Sequence, residues 1–340
     1  MNTGADPAAT AAGTMDNAVP LEGQNKVLEL IARGAPLAKV LSLLVSVIQK
    51  ECEGMLGSIL LLDPDGKHVR HGAAPDLPEA YTSLVDGQLI GPKAGSCGTA
   101  LFRRSPVAVE DIETDPLWED YRAVAKEHGL RSCWSWPIFD GERQVLGTFA
   151  MYFRAPGRPR TSHLRLIDVA SAIASIAIVK HRAEEEMKRR QDQLNAAQSI
   201  AGVGSYEWNL RTGDFQRSPE LCRIFGLRPE DFAPTFEAYL ERVHPDQRSV
   251  SQGIIESARS EVRPFDFEER IVRPDGEVRT LETHGRWTLD DNQAPVRLMA
   301  TSQDISERKQ AEQQMEAANR ALVEENRRMR ARASGTGSAE

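Results

Sequence analysis

The sequence predicts an α+β protein of two antiparallel-sheet domains, joined and followed by long helices. Three observations carry this. Short apolar strands are closed by turn strings such as Asp63-Pro64-Asp65-Gly66, Asp140-Gly141-Glu142-Arg143 and Arg273-Pro274-Asp275-Gly276. Helical stripes stand before, between and after those strands rather than alternating with each one, which favours antiparallel sheets over a doubly wound one. Two charged helical stretches, near 181–197 and 307–331, follow the two strand-rich blocks.

The elements follow in chain order. Apolar residues at 37, 40, 41, 44, 47 and 48 form a helical stripe, with Pro36 at its first turn. Met55–Leu62 is a buried strand. Ser96 or Cys97 stands near the start of a short helix. Val107–Ile112 is a second strand, and a helix runs from Pro116 to about His128. Cys133–Phe139 and Val145–Phe153 make a hairpin, after which a long helix starts near Thr161, capped by Thr161 or Ser162. In the second block, Val203–Leu210 alternates and puts Tyr206, Trp208 and Leu210 on one face. Short helices fill Pro219–Ser260, and three strands lie around 265–272, 278–288 and 296–301.

The expected domains are a disordered N-terminus over 1–22, a first domain over 23–180, a linker helix over 181–197 and a second domain over 198–306. A coiled-coil signalling helix over 307–331 and a flexible tail over 332–340 complete the chain. Leu166, Val169, Ile173, Ile176, Ala183, Met187, Leu194 and Ala197 approximate 3-4 spacing, as do Ala311, Met315, Ala318, Leu322 and Met329. Such a seam with charged flanks predicts a homodimer held by paired helices.

Composition narrows the function. The 340 residues carry 42 Lys+Arg against 50 Asp+Glu, a net charge of -8, which argues against a general nucleic-acid binder. The longest apolar run, around Val169–Val179, is broken by serines, so no membrane span is expected. The first twenty residues lack the basic and apolar regions of an export signal, and the four cysteines show no CxxC spacing, which predicts a cytoplasmic protein with reduced thiols. The seven histidines share no zinc-type spacing with the cysteines, so no metal site is expected. No phosphate-cradling GxxxxGK[ST] loop and no GxSxG elbow is present; no catalytic residue is assigned.

A resemblance adds to these readings. The strings "GSCGTALFRRSPVAVEDIETDPLWEDY", "GLRSCWSWPI" and "VLGTFAMYFRAPGRPR" make residues 23–180 resemble a GAF domain. "GSYEWNLRTGDF", "HPDQR", "RIVRPDGEVR" and the closing "QDISERKQAE" make residues 198–306 resemble a PAS domain, with Ser306 in place of the usual Thr of the exit motif. The pairing is similar to the sensory input region of bacterial sensor histidine kinases and cyclic-di-nucleotide signalling proteins. It implies a cytoplasmic sensor that binds a small molecule or partner and passes the signal through dimeric helices to a downstream kinase, cyclase or response regulator. Two other readings stay open: the input half of a histidine kinase or diguanylate cyclase whose effector is not in this chain, and a non-sensing dimeric adaptor.

By the same resemblance, a GAF ligand lies over the sheet beneath the middle helices, making Trp118, Tyr121, Trp134, Trp136 and Met151 candidate lining residues. Tyr206, Trp208, Phe225 and Phe267 are the PAS candidates. Asp304 is expected to tie the last PAS strand to the outgoing helix, with Arg308 as its charged partner. The cofactor is not identified. A bilin is disfavoured because Arg122 and Ala123 hold the place of its Cys-His attachment. Cys222, in "PELCRIFGL", lies outside the flavin-adduct pattern, His244 belongs to a turn string rather than to a haem site, and the cyclic-nucleotide signature is not evident. Cys133 is expected to pack in the core and Cys97 to serve structurally at its helix start, since no resolving cysteine is readable beside it. The string around His181, "IVKHRAEEEM", lacks a phosphoacceptor box.

Overall fold

The computed structural model describes residues 21–335, which divide into two compact units at Glu186/Met187. The expected disorder at 1–20 and the tail at 336–340 lie outside the described residues; Leu21 and Glu22 already open a helix, and 332–335 continue one.

The first unit begins with α1 (Leu21–Ala32) and α2 (Leu37–Lys50), which pack on a five-stranded sheet. Its strands are β1 (Leu56–Leu62), β2 (Val69–Ala73), then, after α3 (Glu79–Val85) and α4 (Gly95–Arg103), β3 (Val107–Val109). A 3-10 turn (Pro116–Trp118) and α5 (Arg122–Glu127) precede β4 (Ser132–Phe139) and β5 (Val145–Phe153). Every pairing is antiparallel, in the order β2-β1-β5-β4-β3. The sheet therefore has two covered faces. One carries α1, α2 and the next helix, α6 (Thr161–Ala201); the other carries α3, α4 and the 3-10 turn.

Three sequence expectations change here. The helix expected over Pro116–His128 is broken: Asp115 accepts a bond from the Leu117 amide and caps a single 3-10 turn, and α5 starts only after Tyr121. The break turns the Trp118 indole into the sheet face instead of leaving it on a helix surface. Strand β2 had no apolar signature, because its central Arg70 and His71 are exposed on an edge. The expected strand Val107–Ile112 pairs only as far as Val109.

Helix α6 contains an 18-residue window of mean hydropathy 1.5. Packing accounts for that apolarity: Leu166, Ile167, Ala170, Ile173, Ala174, Ala177 and Ile178 are buried against the sheet. Burying a Leu or Ile side chain is worth roughly 1.5–3 kcal/mol, so this stripe fastens the helix to the first unit. Leu166 and Ile173 are thus core residues and not available to a partner helix, which corrects the seam at its upstream end. A core stripe and a coiled-coil seam share nearly the same spacing, and only burial separates them.

The second unit carries β6 (Val203–Asn209), β7 (Phe215–Arg217), α7 (Pro219–Phe225), α8 (Phe236–Arg242) and α9 (Pro245–Ser260). Then follow β8 (Phe265–Val272), β9 (Val278–Leu289), β10 (Pro295–Asp304) and α10 (Ser306–Gly335). Its sheet runs β7-β6-β10-β9-β8, again antiparallel throughout. Gly276, at φ 85°, makes the tight β8–β9 turn that the Arg-Pro-Asp-Gly string announces. His244 accepts the Asp246 amide through Nδ1 and so caps α9, in keeping with a turn role.

Candidate functional site

The site is built on the inner face of the first sheet, beneath α3, α4 and the 3-10 turn. A cavity of about 30 Å³ lies there, lined by Tyr81, Ser96, Cys97, Trp118, Tyr121 and Tyr152 among others. That is room for a water-sized occupant, far below the 300–1,000 Å³ of a drug-sized pocket.

A relay of hydrogen bonds sets its roof. Trp118 Nε1 donates to Ser96 Oγ at 3.0 Å, and Ser96 Oγ donates to the Cys133 carbonyl at 3.0 Å. One hydroxyl thereby locks the first turn of α4 and the 3-10 turn onto β4. Replacing Ser96 with alanine leaves the buried Trp118 N–H without its acceptor and is expected to cost about 2 kcal/mol. The check is a chemical denaturation midpoint; an unchanged midpoint would show that the relay does not hold the roof.

The central strands beside the cavity carry buried polar side chains. Ser58, Ser135 and Thr148 are buried at 3, 0 and 0% exposure, and none of their hydroxyls makes a well-directed hydrogen bond. Sheet register explains the grouping: Ala150 stands opposite both Ser58 and Ser135, with Thr148 two residues along the same face. Ser135 and Thr148 are turned toward the sulfur of Cys97, which also lies 3.5 Å from the Tyr152 hydroxyl. Burial pushes the Tyr152 phenol well up, so it remains protonated. Buried hydroxyls are ordinarily partnered, so these three stand out, but they lie in the sheet beside the cavity and not in its lining.

Of the residues singled out from sequence, Trp118 and Tyr121 line this cavity. Trp134, Trp136 and Met151 sit on the opposite face, packed with α1, α2 and α6; Trp134 donates to the Gly157 carbonyl at 3.1 Å and lies against Phe153 and His163. The alternation along β4 that put Trp134, Trp136 and Ile138 on one side and Cys133 and Ser135 on the other holds, but the tryptophan side is the helix-packed core. The cavity residues that sequence reasoning passed over include Tyr81 and Tyr152.

In the second unit, Tyr206 and Phe225 are core residues, whereas Trp208 and Phe267 pack at its margin. Trp208 stacks on Phe236 with ring centres 4.5 Å apart and lines a groove of about 380 Å³ between α8 and α9. The expected pairing of Asp304 with Arg308 does not form. Asp304 Oδ2 meets Arg279 Nη1 at 3.2 Å, its Oδ1 accepts the Ser306 amide at 2.9 Å, and Arg308 reaches Glu282 instead at 2.9 Å. The carboxylate caps the first turn of α10, so it faces the helix start and the neighbouring strand rather than outward along the helix. Ser306 Oγ in turn accepts the Thr280 amide at 2.9 Å, tying the helix start to β9. His181 lies 3.3 Å from Glu185, one turn on in α6. Among the described residues there is no grouping of His, Cys, Asp and Glu fit for a metal ion.

Comparison with known proteins agrees with this anatomy. Residues 34–179 match the model of the GAF domain, and residues 215–302 match that of the PAS fold. The chain is 31% identical over 299 residues to a methyl sulfide methyltransferase-associated sensor of Methanosarcina acetivorans, a match covering 85% of this chain and 29% of that protein. It is 32% identical over 140 residues to a blue-light-activated histidine kinase of Brucella ovis, covering 41% of this chain and 26% of the other. The chain thus spans under a third of the length of these curated relatives. Among solved structures, the GAF domain of the Acinetobacter phosphoenolpyruvate-protein phosphotransferase aligns at 17% identity and TM-score 0.37, over 49% of this chain and 96% of that one. The chain is a GAF domain followed by a PAS domain, the architecture of sensor proteins.

Proposed function

We propose that this chain is a cytoplasmic sensory input module, in which the GAF cavity receives a small polar molecule and paired helices carry the response onward. The observation that carries the reading is an enclosed cavity whose lining sets Ser96 and Cys97 among the rings of Tyr81, Trp118, Tyr121 and Tyr152. At about 30 Å³ the cavity takes only a molecule of a few atoms as it stands. Anything larger enters by displacing the wall formed by Val85, Gln88 and Leu89, a segment whose Leu89 is already 58% exposed. A ligand that binds the displaced state better shifts the equilibrium toward it, and a preference of about 1–3 kcal/mol suffices for signalling.

The outgoing path is the exposed apolar stripe on the two long helices. Met187 and Leu194 on α6 stand seven residues apart at 74 and 53% exposure; Met315, Leu322 and Met329 on α10 repeat that spacing at 67, 57 and 55%. Left in water these side chains gain nothing; against a second copy they form a heptad seam. The names of the relatives, a sensor and a histidine kinase, support a kinase-type output reached through that seam.

The test of sensing is native mass spectrometry of the purified chain, followed by thermal shift with each molecule found. A small molecule released on denaturation that also raises the melting temperature is expected; a screen in which nothing binds, beside a stable complex with a protein partner, would leave the adaptor reading in its place. The test of pairing is the variant Met187→Glu/Leu194→Glu. Light scattering is expected to give a dimer mass for the parent and a monomer mass for the variant, with helix content preserved. A parent that is monomeric at tens of micromolar would remove the helical relay from the account.

A further inference from the structure

Cys97 and Cys133 are 36 residues apart in sequence and were expected to do separate structural jobs. The fold puts them together. Cys97 is the third residue of α4, and β4 opens beneath that first turn with Cys133 at its second position. The Ser96 bond to the Cys133 carbonyl fastens the two elements at this point, and the Cys97 sulfur lies 3.5 Å from the hydroxyl of Tyr152, the residue directly opposite Cys133 on β5. Both side chains are in one buried cluster with Tyr81, Trp118 and Tyr152, and Cys97 lines the cavity.

We propose that Cys97 and Cys133 are a redox-active pair that closes to a disulfide on exposure to a peroxide. Their surroundings differ in the way an attacking and a resolving thiol must. The polar groups around its sulfur, Cys133 first and then Ser135, Tyr152 and Thr148, favour the thiolate more than desolvation opposes it and draw the Cys97 thiol down to about 7. Burial pushes the Cys133 thiol well up, and its closeness to the Cys97 sulfur adds to this. The thiolate is the nucleophile, so Cys97 attacks first. Hydrogen peroxide is the oxidant class the cavity admits, because its space suits an occupant little larger than water.

The chemistry balances. The Cys97 thiolate attacks one peroxide oxygen, the O–O bond breaks, and the other oxygen leaves as hydroxide; Cys97 is then a sulfenic acid. Cys133 sulfur attacks the Cys97 sulfur, the S–S bond forms, the S–O bond breaks, and that oxygen departs as water with the Cys133 proton. In sum, two thiols lose two electrons and two protons, and one peroxide becomes two waters. The bridge would pin the first turn of α4 to β4 under Trp118, giving the GAF cavity a second input. This stands whether or not a ligand is found there.

The full chain, reduced and then treated with stoichiometric hydrogen peroxide, is blocked with N-ethylmaleimide and mapped by peptide mass spectrometry. A Cys97–Cys133 cross-linked peptide, reversed by dithiothreitol, is expected. Cys97 should be consumed about tenfold faster than Cys52 or Cys222, as its thiolate character requires. Cys133→Ser should leave Cys97 as a sulfenic acid that dimedone traps, and Cys97→Ser should leave Cys133 unmodified. Oxidation of Cys52 or Cys222 ahead of Cys97, or a cross-link that forms only in denaturant, would overturn the pair. Because the parent chain alone decides those two results, a variant that fails to fold does not blunt the test.

Discussion

A Gly147→Val variant is expected to lose the cooperative unfolding transition of the GAF domain while the PAS domain continues to fold. Gly147 lies on the central strand β5, paired with Leu61 on one side and Ile138 on the other. A Cβ placed there would sit 2.2 Å from the Leu60 carbonyl oxygen and 3.1 Å from the Leu61 Cα. Both obstacles are backbone, so no rotamer change relieves the contact; β1 and β5 must part, and these strands carry Leu60 and Tyr152 of the cavity lining. The cost exceeds the ordinary 1–3 kcal/mol of overpacking and is set at about 4 kcal/mol or more. The measurement is limited proteolysis with peptide mapping alongside a thermal melt. New cleavage within 34–179 and continued protection of 215–302 are expected. A variant that melts within about 2 °C of the parent would show that the strands tolerate the added carbon.

A Glu269→Gln variant is expected to remove a pH dependence that the parent PAS domain must show. Glu269 is 1% exposed on β8, where it accepts bonds through Oε1 from Tyr239 and, at 3.2 Å, from Thr283, while its Oε2 has no partner. Tyr206 stands nearby with an unpartnered hydroxyl, and among the described residues no cation is paired with this carboxyl. Desolvation raises its pKa above 4.5 and outweighs the neighbouring hydroxyls of Tyr239, Ser251 and Thr283, which favour the ionised form. The folded state therefore binds the proton more tightly than the unfolded state does. The stability this supplies is complete below 4.5 and is lost as the pH rises through the folded-state value. Each unit by which the folded value is raised corresponds to about 1.4 kcal/mol. Glutamine keeps the Tyr239 and Thr283 bonds without a charge, so denaturation midpoints of the variant should be flat where those of the parent fall. Glu269→Lys, which buries a cation without a partner, should cost about 3–5 kcal/mol. A parent whose PAS stability rises between pH 5 and 8 would contradict the assignment.

How far these two sites were legible in the sequence follows from what each depends on. The strands β4, β5, β8, β9 and β10 could be placed because apolar residues with turn strings at their ends are local signals. The edge strand β2 could not, since pairing with β1 forms it and its own side chains are exposed. The aromatic candidates split for the same reason. Period-2 alternation separates Trp134 and Trp136 from Cys133 and Ser135, but it does not say which side a helix covers and which side a cavity. Glu269 could not be recognised as buried, because Glu268 and Glu269 are neighbours of identical chemistry and only the register of β8 against β9 sends one inward.

The sequence by itself determined the α+β class, the order GAF then PAS, and the long helices, because these rest on turn chemistry, side-chain periodicity and motif strings within a few tens of residues. Only the tertiary structure decided that Cys97 and Cys133 share one buried cluster, that Asp304 answers to Arg279, and that Leu166 and Ile173 belong to a core. Those facts depend on pairs far apart along the chain, brought together by sheet register and helix docking. No local pattern encodes the distance between two residues that only the closed fold makes neighbours.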